Sequence, residues 1–394
     1  MIANLQIHLH SMIFNENKAG IYIHIPFCKK ACVYCNFHFS TSLQLKPDML
    51  RAIQKEIIER KGYLPNKKIQ SIYFGGGTPS LLSGGEVQSI INLIQQEYLV
   101  DTDAEITLEA NPDDLNQEYL ETILHAGVNR ISIGIQSFDD NDLKWMNRSH
   151  DAAQAENSLK LIAAAGFKKV TADLIYGIPG STHEAWQNHI EKVIPYVNHI
   201  SCYALTVEPK TVLQHLITKG KSLPVDENHT AEQFEILTTT LKAAGFEHYE
   251  ISNFAKNGAY ALHNTAYWMG NHYLGIGPSA HSYNGIERAW NISNNAIYIK
   301  NIFDEISFNE IEILTPVQQM NEMILTSLRT MWGLDVALFR ARFGEKNAGT
   351  LEKQFPKLIQ DQLIEIKGTQ AIITDRGKFI SDGIISNLFF DETD

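Results

Sequence analysis

Three cysteine thiols lie within eight residues near the start of the chain, at Cys28, Cys32 and Cys35, in the spacing C-x3-C-x2-C. They follow an apolar run, 21–25, that is typical of a strand. Structural zinc sites and fully ligated [4Fe–4S] clusters each take four protein ligands. Three thiolates on a cubane therefore leave one iron open. That iron can chelate an amine and a carboxylate, and S-adenosylmethionine (SAM) offers that pair.

Other interpretations of the cysteines remain open. A zinc ion could complete its shell with His24 or His38. Three unconnected buried cysteines would not be expected at this spacing on a loop. The chain has four cysteines in 394 residues, so we expect a reduced, cytoplasmic protein without disulfides. Cys202, in a predicted strand, is expected to be a buried structural thiol.

Composition excludes several classes of function. The formal net charge of −12 argues against general nucleic-acid binding. No window approaches the apolar length of a membrane span, so we expect no transmembrane segment. Residues 1–19 lack the apolar stretch of a signal peptide. We interpret them as an N-terminal arm, with Met1 or Met12 as the start.

Strands and helices alternate through most of the chain. Six strands are predicted near 21–25, 71–74, 105–110, 130–135, 169–176 and 199–205, and several helices end at a small residue followed by glycine. Such alternation predicts a parallel sheet in an α/β fold, with its site at the carboxyl ends of the strands. Beyond about residue 300 the rhythm stops, and helices followed by a hairpin suggest a small winged-helix-like α+β domain. We therefore divide the chain at 1–19, 20–300 and 301–394.

Polar candidates follow the predicted strands. The segment 75–79, Gly-Gly-Gly-Thr-Pro, could bring its backbone close to a ligand and offer amides to it. Glu109 ends the third predicted strand, Gln136 follows the fourth and Asp173 lies within the fifth, and all three could accept hydrogen bonds from ribose hydroxyls. Arg148 could pair with a carboxylate. Taken singly, each could equally be a solvated or capping residue.

The cysteine spacing and the preceding Tyr22-Ile-His-Ile-Pro-Phe27 together resemble the radical SAM superfamily, within the family of oxygen-independent coproporphyrinogen III oxidases and HemW-like heme chaperones. The resemblance implies a partial (β/α)6 TIM-type barrel and a [4Fe–4S] cluster on the three cysteines. It also implies SAM contacts at a set of positions in this chain: Tyr22, Tyr34, Gly76, Gly77, Thr78, Glu109, Gln136, Arg148 and Asp173.

A second motif separates the two branches of that family. His263-Asn264-Thr-Ala-Tyr267-Trp268 matches H-N-x-x-Y-W, which in the chaperones is associated with heme binding. An imidazole can ligate heme iron, and aromatic rings can pack on the macrocycle. The oxidases extend the cysteine loop to a further cysteine, and here that position is Phe37.

The resemblance therefore favours a heme chaperone that passes heme to acceptor hemoproteins, including respiratory, membrane-associated ones. The alternative is an oxygen-independent coproporphyrinogen III oxidase, in which a radical derived from SAM drives oxidative decarboxylation in porphyrin biosynthesis. Either function could use flavodoxin or ferredoxin as the electron donor. Neither requires nucleic acid.

Overall fold

Six parallel strands, each followed by at least one helix, form the centre of the computed structural model, which describes residues 17–65 and 67–391. The strands are β1 (Lys18–Ile25), β2 (Lys68–Gly76), β3 (Val100–Ala110), β4 (Arg130–Gln136), β5 (Lys169–Tyr176) and β6 (His199–Ala204). They lie side by side in chain order, and each pair is parallel. All six predicted strands are confirmed.

The intervening helices cover the outer face of this sheet. They are α1 (Lys46–Glu59), α2 (Gly84–Glu97), α3 (Gln117–His125), α4 (Asp140–Trp145), α5 (Ala152–Ala165), α6 (His183–Val193), α7 (Val212–Thr218) and α8 (Glu227–Ala243). The apolar stripes of six of these helices pack on outward strand residues such as Ile72 and Phe74, in one continuous core. Leu143 of α4 and Leu213 of α7 belong to a smaller cluster that includes Val33, between Cys32 and Cys35. Gly166 ends α5 in the left-handed conformation, as the small-residue–glycine pattern predicts.

Further strands extend both edges of the sheet. On the β6 side lie β7 (Glu247–Glu250) and β8 (Asn253–Ala255), which are antiparallel. On the β1 side lie β9 (His272–Ile276), β10 (His281–Tyr283), β11 (Glu287–Asn291) and β12 (Asn309–Ile313). Strand β9 pairs in parallel with β1, and each later strand pairs antiparallel with the one before it. Two helices belong to this region, α9 (Leu262–Trp268) and α10 (Asn295–Asp304).

A second hydrophobic core begins near Met320. Its helices are α11 (Pro316–Leu328), α12 (Val336–Phe343), α13 (Glu345–Glu352), α14 (Phe355–Gln360), α15 (Asp375–Lys378) and α16 (Ser381–Asn387). Its strands are β13 (Leu334–Asp335), β14 (Ile364–Lys367) and β15 (Gln370–Ile373), and they form an antiparallel sheet. This matches the expected helices followed by a hairpin.

The first unit of the structure extends beyond both of its predicted bounds, 20 and 300. Phe308 and Ile302 pack on the first core, and β12 pairs with β11, so the first unit continues to about 313. The rhythm changes near 300 because the strands there become antiparallel, not because a new domain begins. At the other end, Lys18 and Ala19 already belong to β1. Residues 1–16 of the predicted arm lie outside the described residues. Across 17–65 and 67–391, no helix is long and apolar enough to cross a bilayer.

Candidate functional site

The cysteine loop leaves β1 and forms one wall of a cavity of about 450 Å³. Cys28, Cys32 and Cys35 all line this cavity and are partly exposed. The loop is fixed by backbone hydrogen bonds, from the amide of Cys28 to the carbonyl of Ser40 (3.0 Å) and from that of Val33 to the carbonyl of Met146 (3.1 Å). The three thiols are therefore held at the carboxyl end of the sheet, as predicted.

The geometry of the thiols distinguishes a cluster from a single ion. Ligands of one zinc ion, with Zn–S bonds near ~2.3 Å, must lie within about 4.6 Å of one another. The three cysteine sulfurs, all within the described part of the chain, do not form a group within 4.8 Å. The candidate fourth ligands are also engaged. The Nε2 atom of His24 lies 2.9 Å from the carbonyl of His38, and the Nε2 atom of His38 lies 2.7 Å from the Oδ1 atom of Asn295. The donor set fits a polynuclear cluster better than zinc.

Burial also affects the protonation of the thiols. It raises the pKa of Cys28 to about 11 and that of Cys35 above its ordinary value. The Arg148 guanidinium lies against this group, with its Nη1 atom 3.5 Å from the Cys32 sulfur. Without metal the Cys28 and Cys35 thiols keep their protons, and iron binding would displace those protons.

The glycine segment after β2 packs directly under the cysteine loop. Gly76 has a φ of +101°, and a Cβ atom there would lie 2.5 Å from the His24 ring. A Cβ atom on Gly77 would lie 2.5 Å from the carbonyl oxygen of Phe27. Glycine is required at both positions. The sequence suggested that amides here would face a ligand. Instead, the Gly77 amide donates to the carbonyl of Ile25 (2.9 Å), and the Thr78 amide donates to the carbonyl of Phe27 (2.7 Å).

The cavity continues from the strand ends into the barrel. Its lining takes alternate residues from successive strands, because every second side chain of a strand points to the same face. These inward residues are mostly polar: Thr107, Glu109, Arg130, Ser132, Thr171, Asp173, His199, Ser201 and Tyr203. The barrel interior is therefore a polar compartment.

Two carboxylates dominate that compartment. The Tyr73 hydroxyl donates to Glu109 (2.7 Å), and the Ser132 hydroxyl donates to Asp173 (3.2 Å). Burial, reinforced by the nearby Asp173 charge, raises the pKa of Glu109 to about 7. Burial also raises the pKa of Asp173 to about 6. Both side chains can accept hydrogen bonds from a polar ligand when ionised.

Arg148 connects the cysteine loop to the strand ends. Its Nη2 atom donates to the Asn111 side chain (2.8 Å) and to the Gly134 carbonyl (2.9 Å), and Nη1 lies 3.4 Å from the Tyr34 hydroxyl. Its buried Nε atom has no hydrogen-bond partner within the described residues. Gln136, at the end of β4, has a φ of +65° and also lines the cavity. Such backbone strain is common at binding sites.

The H-N-x-x-Y-W segment forms helix α9, which packs across β1 and β2. His263 is 1% exposed, and neither of its ring nitrogens is free. Nδ1 lies 2.8 Å from the Ser71 hydroxyl and Nε2 lies 2.6 Å from the Tyr267 hydroxyl. Burial lowers the pKa of His263 to about 3, so the ring is neutral.

The other members of the motif have different surroundings. Asn264 lines the cavity. Trp268 is half-buried and packs against Arg329, whose guanidinium carbon lies 5.2 Å from the ring centroid. Arg329, which follows α11, also contacts Glu250 (3.2 Å) and Asp382 (2.7 Å). Helix α9 therefore contacts both cores.

Comparison with known proteins agrees with this architecture. The family model for the radical SAM superfamily matches residues 22–193, and the model for the HemN C-terminal domain matches residues 314–380. The fold resembles that of coproporphyrinogen III oxidase HemN from Escherichia coli, with a TM-score of 0.82. That alignment covers 99% of this chain and 93% of HemN at 21% identity, so it shows the fold alone.

The chain is 32% identical over 380 residues to the heme chaperone HemW of Mycobacterium tuberculosis, covering 94% of both chains. The HemW of Bacillus subtilis is 33% identical over 371 residues, covering 92% of this chain and 97% of its own. The chain belongs to the HemW family of radical SAM proteins. Membership of that superfamily implies a [4Fe–4S] cluster and SAM.

Among the residues predicted for a HemW-like protein, most of the SAM set and all three cysteines line one cavity. Tyr22 does not. Its hydroxyl lies 3.1 Å from the Nδ1 atom of His24, and its ring centroid is 6.1 Å from that of Tyr73. His263, Tyr267 and Trp268 also lie outside the cavity lining.

Sequence reasoning missed several residues of this HemW-type cavity. Tyr73 donates a hydrogen bond to Glu109, and Asn111 accepts one from Arg148. Arg130 contributes a buried guanidinium deep in the barrel. Asn111, directly after β3 and before a proline, gave a strand-end signal that could have been used. Tyr73 and Arg130 gave none, because both lie within strands buried on each face.

Proposed function

We propose that the chain is a heme chaperone, which binds heme and transfers it to acceptor hemoproteins, and that a [4Fe–4S] cluster with exchangeable SAM accompanies this task. The observation that carries the proposal is the contact between the two candidate sites. Asn264 of the H-N-x-x-Y-W motif lines the cavity. The His263 ring stacks on Tyr73 at 5.0 Å between centroids, and Tyr73 donates to Glu109. Full-length similarity to proteins named heme chaperones supports the same function.

In this proposal Cys28, Cys32 and Cys35 hold the cluster. When bound, the cluster supplies an iron that can take the amine and carboxylate of SAM. The chain's own residues orient the rest of the molecule. Glu109 and Asp173 would accept hydrogen bonds from hydroxyls, Arg148 would pair with the carboxylate, and the remaining contacts come from Tyr34, Gly76, Gly77, Thr78 and Gln136. Tyr22 would act by packing against Tyr73.

Heme binding involves the motif on α9 in this proposal. Asn264 and Trp268 are the accessible members, whereas His263 and Tyr267 are hydrogen-bonded to each other. A ring nitrogen with a lone pair already engaged cannot ligate iron. Ligation of heme iron by His263 would therefore require one of its two hydrogen bonds, to Ser71 or to Tyr267, to break. In the conformation described, His263 anchors the helix.

Heme titration of the anaerobically reconstituted full chain tests the proposal. The wild type is expected to bind heme and to release it to a heme-depleted hemoprotein. Trp268→Ala should weaken binding, whereas the half-buried Trp290→Ala on β11 should not. Absence of heme binding by the wild type would overturn the proposal. Turnover of coproporphyrinogen on the same sample, with 5′-deoxyadenosine and carbon dioxide formed, would assign the oxidase function instead.

A further inference from the structure

Two histidines and a glutamate meet outside the cavity, where helix α6 begins beside helix α8. His183 is the first residue of α6, and His229 and Glu232 lie in the first two turns of α8. The Nε2 atom of His183 is 2.9 Å from the Nδ1 atom of His229 and 3.3 Å from the Oε2 atom of Glu232. One ligand atom from each side chain lies within 4.8 Å of the other two.

This spacing matches the shell of a single metal ion. Residues three apart on a helix project on the same face, which aligns His229 and Glu232. With bonds of ~2.0–2.2 Å, ligands of a tetrahedral ion lie about 3.3–3.6 Å apart. The separations of 2.9 Å between the two imidazole nitrogens and 3.3 Å between His183 and Glu232 lie at or just below that value. Nitrogen and carboxylate donors are also the set that zinc and neighbouring transition metals share.

The charges at this point favour a cation. In the part of the chain that the structure describes, the ion pair found for Glu232 is the one with His183. The surface depression here contains two carboxylates and no lysine or arginine. It is lined by His183, Gln187, Glu232, Glu235, Ile236, Thr239 and Thr240. The Nε2 atom of His229 is buried without a hydrogen-bond partner among the described residues, and Nδ1 is hydrogen-bonded to His183.

We propose that His183, His229 and Glu232 form a binding site for a divalent transition-metal ion, separate from the cysteine cluster and independent of the heme-chaperone function. Three protein ligands leave a coordination position for water. The zinc ion serves as the probe, because its affinity for imidazole and carboxylate is high and it has no redox chemistry.

An ion at this position would fix the loop that leaves β5. That loop, 177–182, runs from the strand carrying Asp173 to the start of α6. Its first residue is already tied to α8, because the amide of Gly177 donates to the Gln233 side chain at 2.6 Å. Metal coordination through His183 would tie the other end of the loop to the same helix. The ion would thus clamp both ends of the loop to α8.

Zinc titration of the cluster-loaded full chain tests the site, since the cysteine thiolates are then occupied by iron. One equivalent of zinc is expected to bind. X-ray absorption should show Zn–N and Zn–O bonds of about 2.0–2.1 Å and no Zn–S bond of about 2.3 Å. His183→Ala and His229→Ala should each weaken binding at least tenfold, because losing even an outer-shell partner costs about that much. The exposed His125→Ala is the matched control.

Glu232→Gln provides a second, conservative variant that keeps the size of the side chain. It should also weaken zinc binding, and circular dichroism of the metal-free variants should match that of the wild type. No zinc binding by the wild type would overturn the proposal. Sulfur ligation, or binding unchanged in both histidine variants, would overturn it equally.

Discussion

The polar side chains of the cysteine loop and of helix α9 have opposite surroundings. Cys28, Cys32 and Cys35 line the cavity and are partly exposed to it. On α9, His263 is buried, and both of its ring nitrogens are hydrogen-bonded within the chain. A metal ligand needs an available lone pair, whereas a buried structural side chain needs every polar atom paired. The cysteine loop meets the requirement for a metal ligand, and His263 meets the requirement for a buried structural side chain.

This difference shows that a motif can contain two kinds of residue. In H-N-x-x-Y-W, Asn264 and Trp268 remain accessible, while His263 and Tyr267 hold the helix on the barrel. Substitution should separate the roles. Substitution of a cysteine in the loop should abolish binding of the cluster and of SAM and leave the fold intact. Substitution of His263 should lower the stability of the fold.

The largest effect is expected from Cys32→Ala. Loss of one of three thiolates should abolish cluster assembly, and SAM binding with it, because the open iron is the chelating point. Iron and sulfide content and SAM binding by equilibrium dialysis measure this directly. Cys202→Ala is the control, since Cys202 is buried in β6 and should leave the cluster in place. A full cluster in Cys32→Ala would refute the assignment.

His263→Ala should destabilise the fold. It leaves the Ser71 and Tyr267 hydroxyls without their partner in a buried site, which costs about 2–6 kcal/mol for two such groups. Thermal unfolding followed by circular dichroism should show a lower midpoint. The exposed His281→Ala should unfold close to wild type. A wild-type midpoint combined with lost heme binding would mean that His263 is a ligand rather than an anchor.

Glu109→Gln should stabilise the SAM-free protein at alkaline pH. The pKa of Glu109 is raised from 4.5 to about 7, so the folded chain keeps a proton that the unfolded chain releases. Stability contributed by this group therefore falls as pH rises from about 4.5 to 7. Removing the charge should restore about 3 kcal/mol at pH ~8 and almost nothing at pH ~4.

Thermal unfolding at the two pH values measures this change, with the exposed Glu310→Gln as the matched substitution. The same Glu109→Gln variant should bind SAM more weakly, because an ionised acceptor in the cavity has been lost. Equal stabilisation at both pH values would show that the carboxylate is not the cause.

The smallest effect is expected at the contact between Trp268 and Arg329. A double-mutant cycle of Trp268→Ala and Arg329→Gln should give a coupling energy of about 0.5–1 kcal/mol, typical of a partly exposed cation–π pair. Unfolding midpoints of the four proteins provide the measurement. Additive effects would show that α9 and the C-terminal core are energetically independent.

The sequence predicted the parts of the fold that depend on local pattern. Apolar runs and glycine helix ends located β1 to β6, and the same strands led to Glu109, Gln136 and Asp173. The short strands β9 to β12 were missed because they mix polar and apolar residues without a clear period. Those strands also explain why the alternation of strands and helices stops near 300 in the sequence.

The sequence could not predict contacts between distant segments. Ser71 and His263 are 192 residues apart, and their hydrogen bond decides whether the imidazole is available. The use of the Gly77 and Thr78 amides to support the cysteine loop depends on the same kind of packing. Such partners follow only from the folded barrel.

Arg329 has a consequence for building chimeras. Its guanidinium joins Trp268 of the motif helix, Glu250 at the sheet edge and Asp382 of the last helix. Exchanging the C-terminal unit with that of another HemW relative at 314 would separate Glu250 and Trp268 from their own Arg329, so the buried Glu250 carboxylate would depend on the residue that the relative supplies there. A functional hybrid would have to inherit Glu250, Trp268 and Arg329 together, with the crossover placed upstream of β7 rather than at 314.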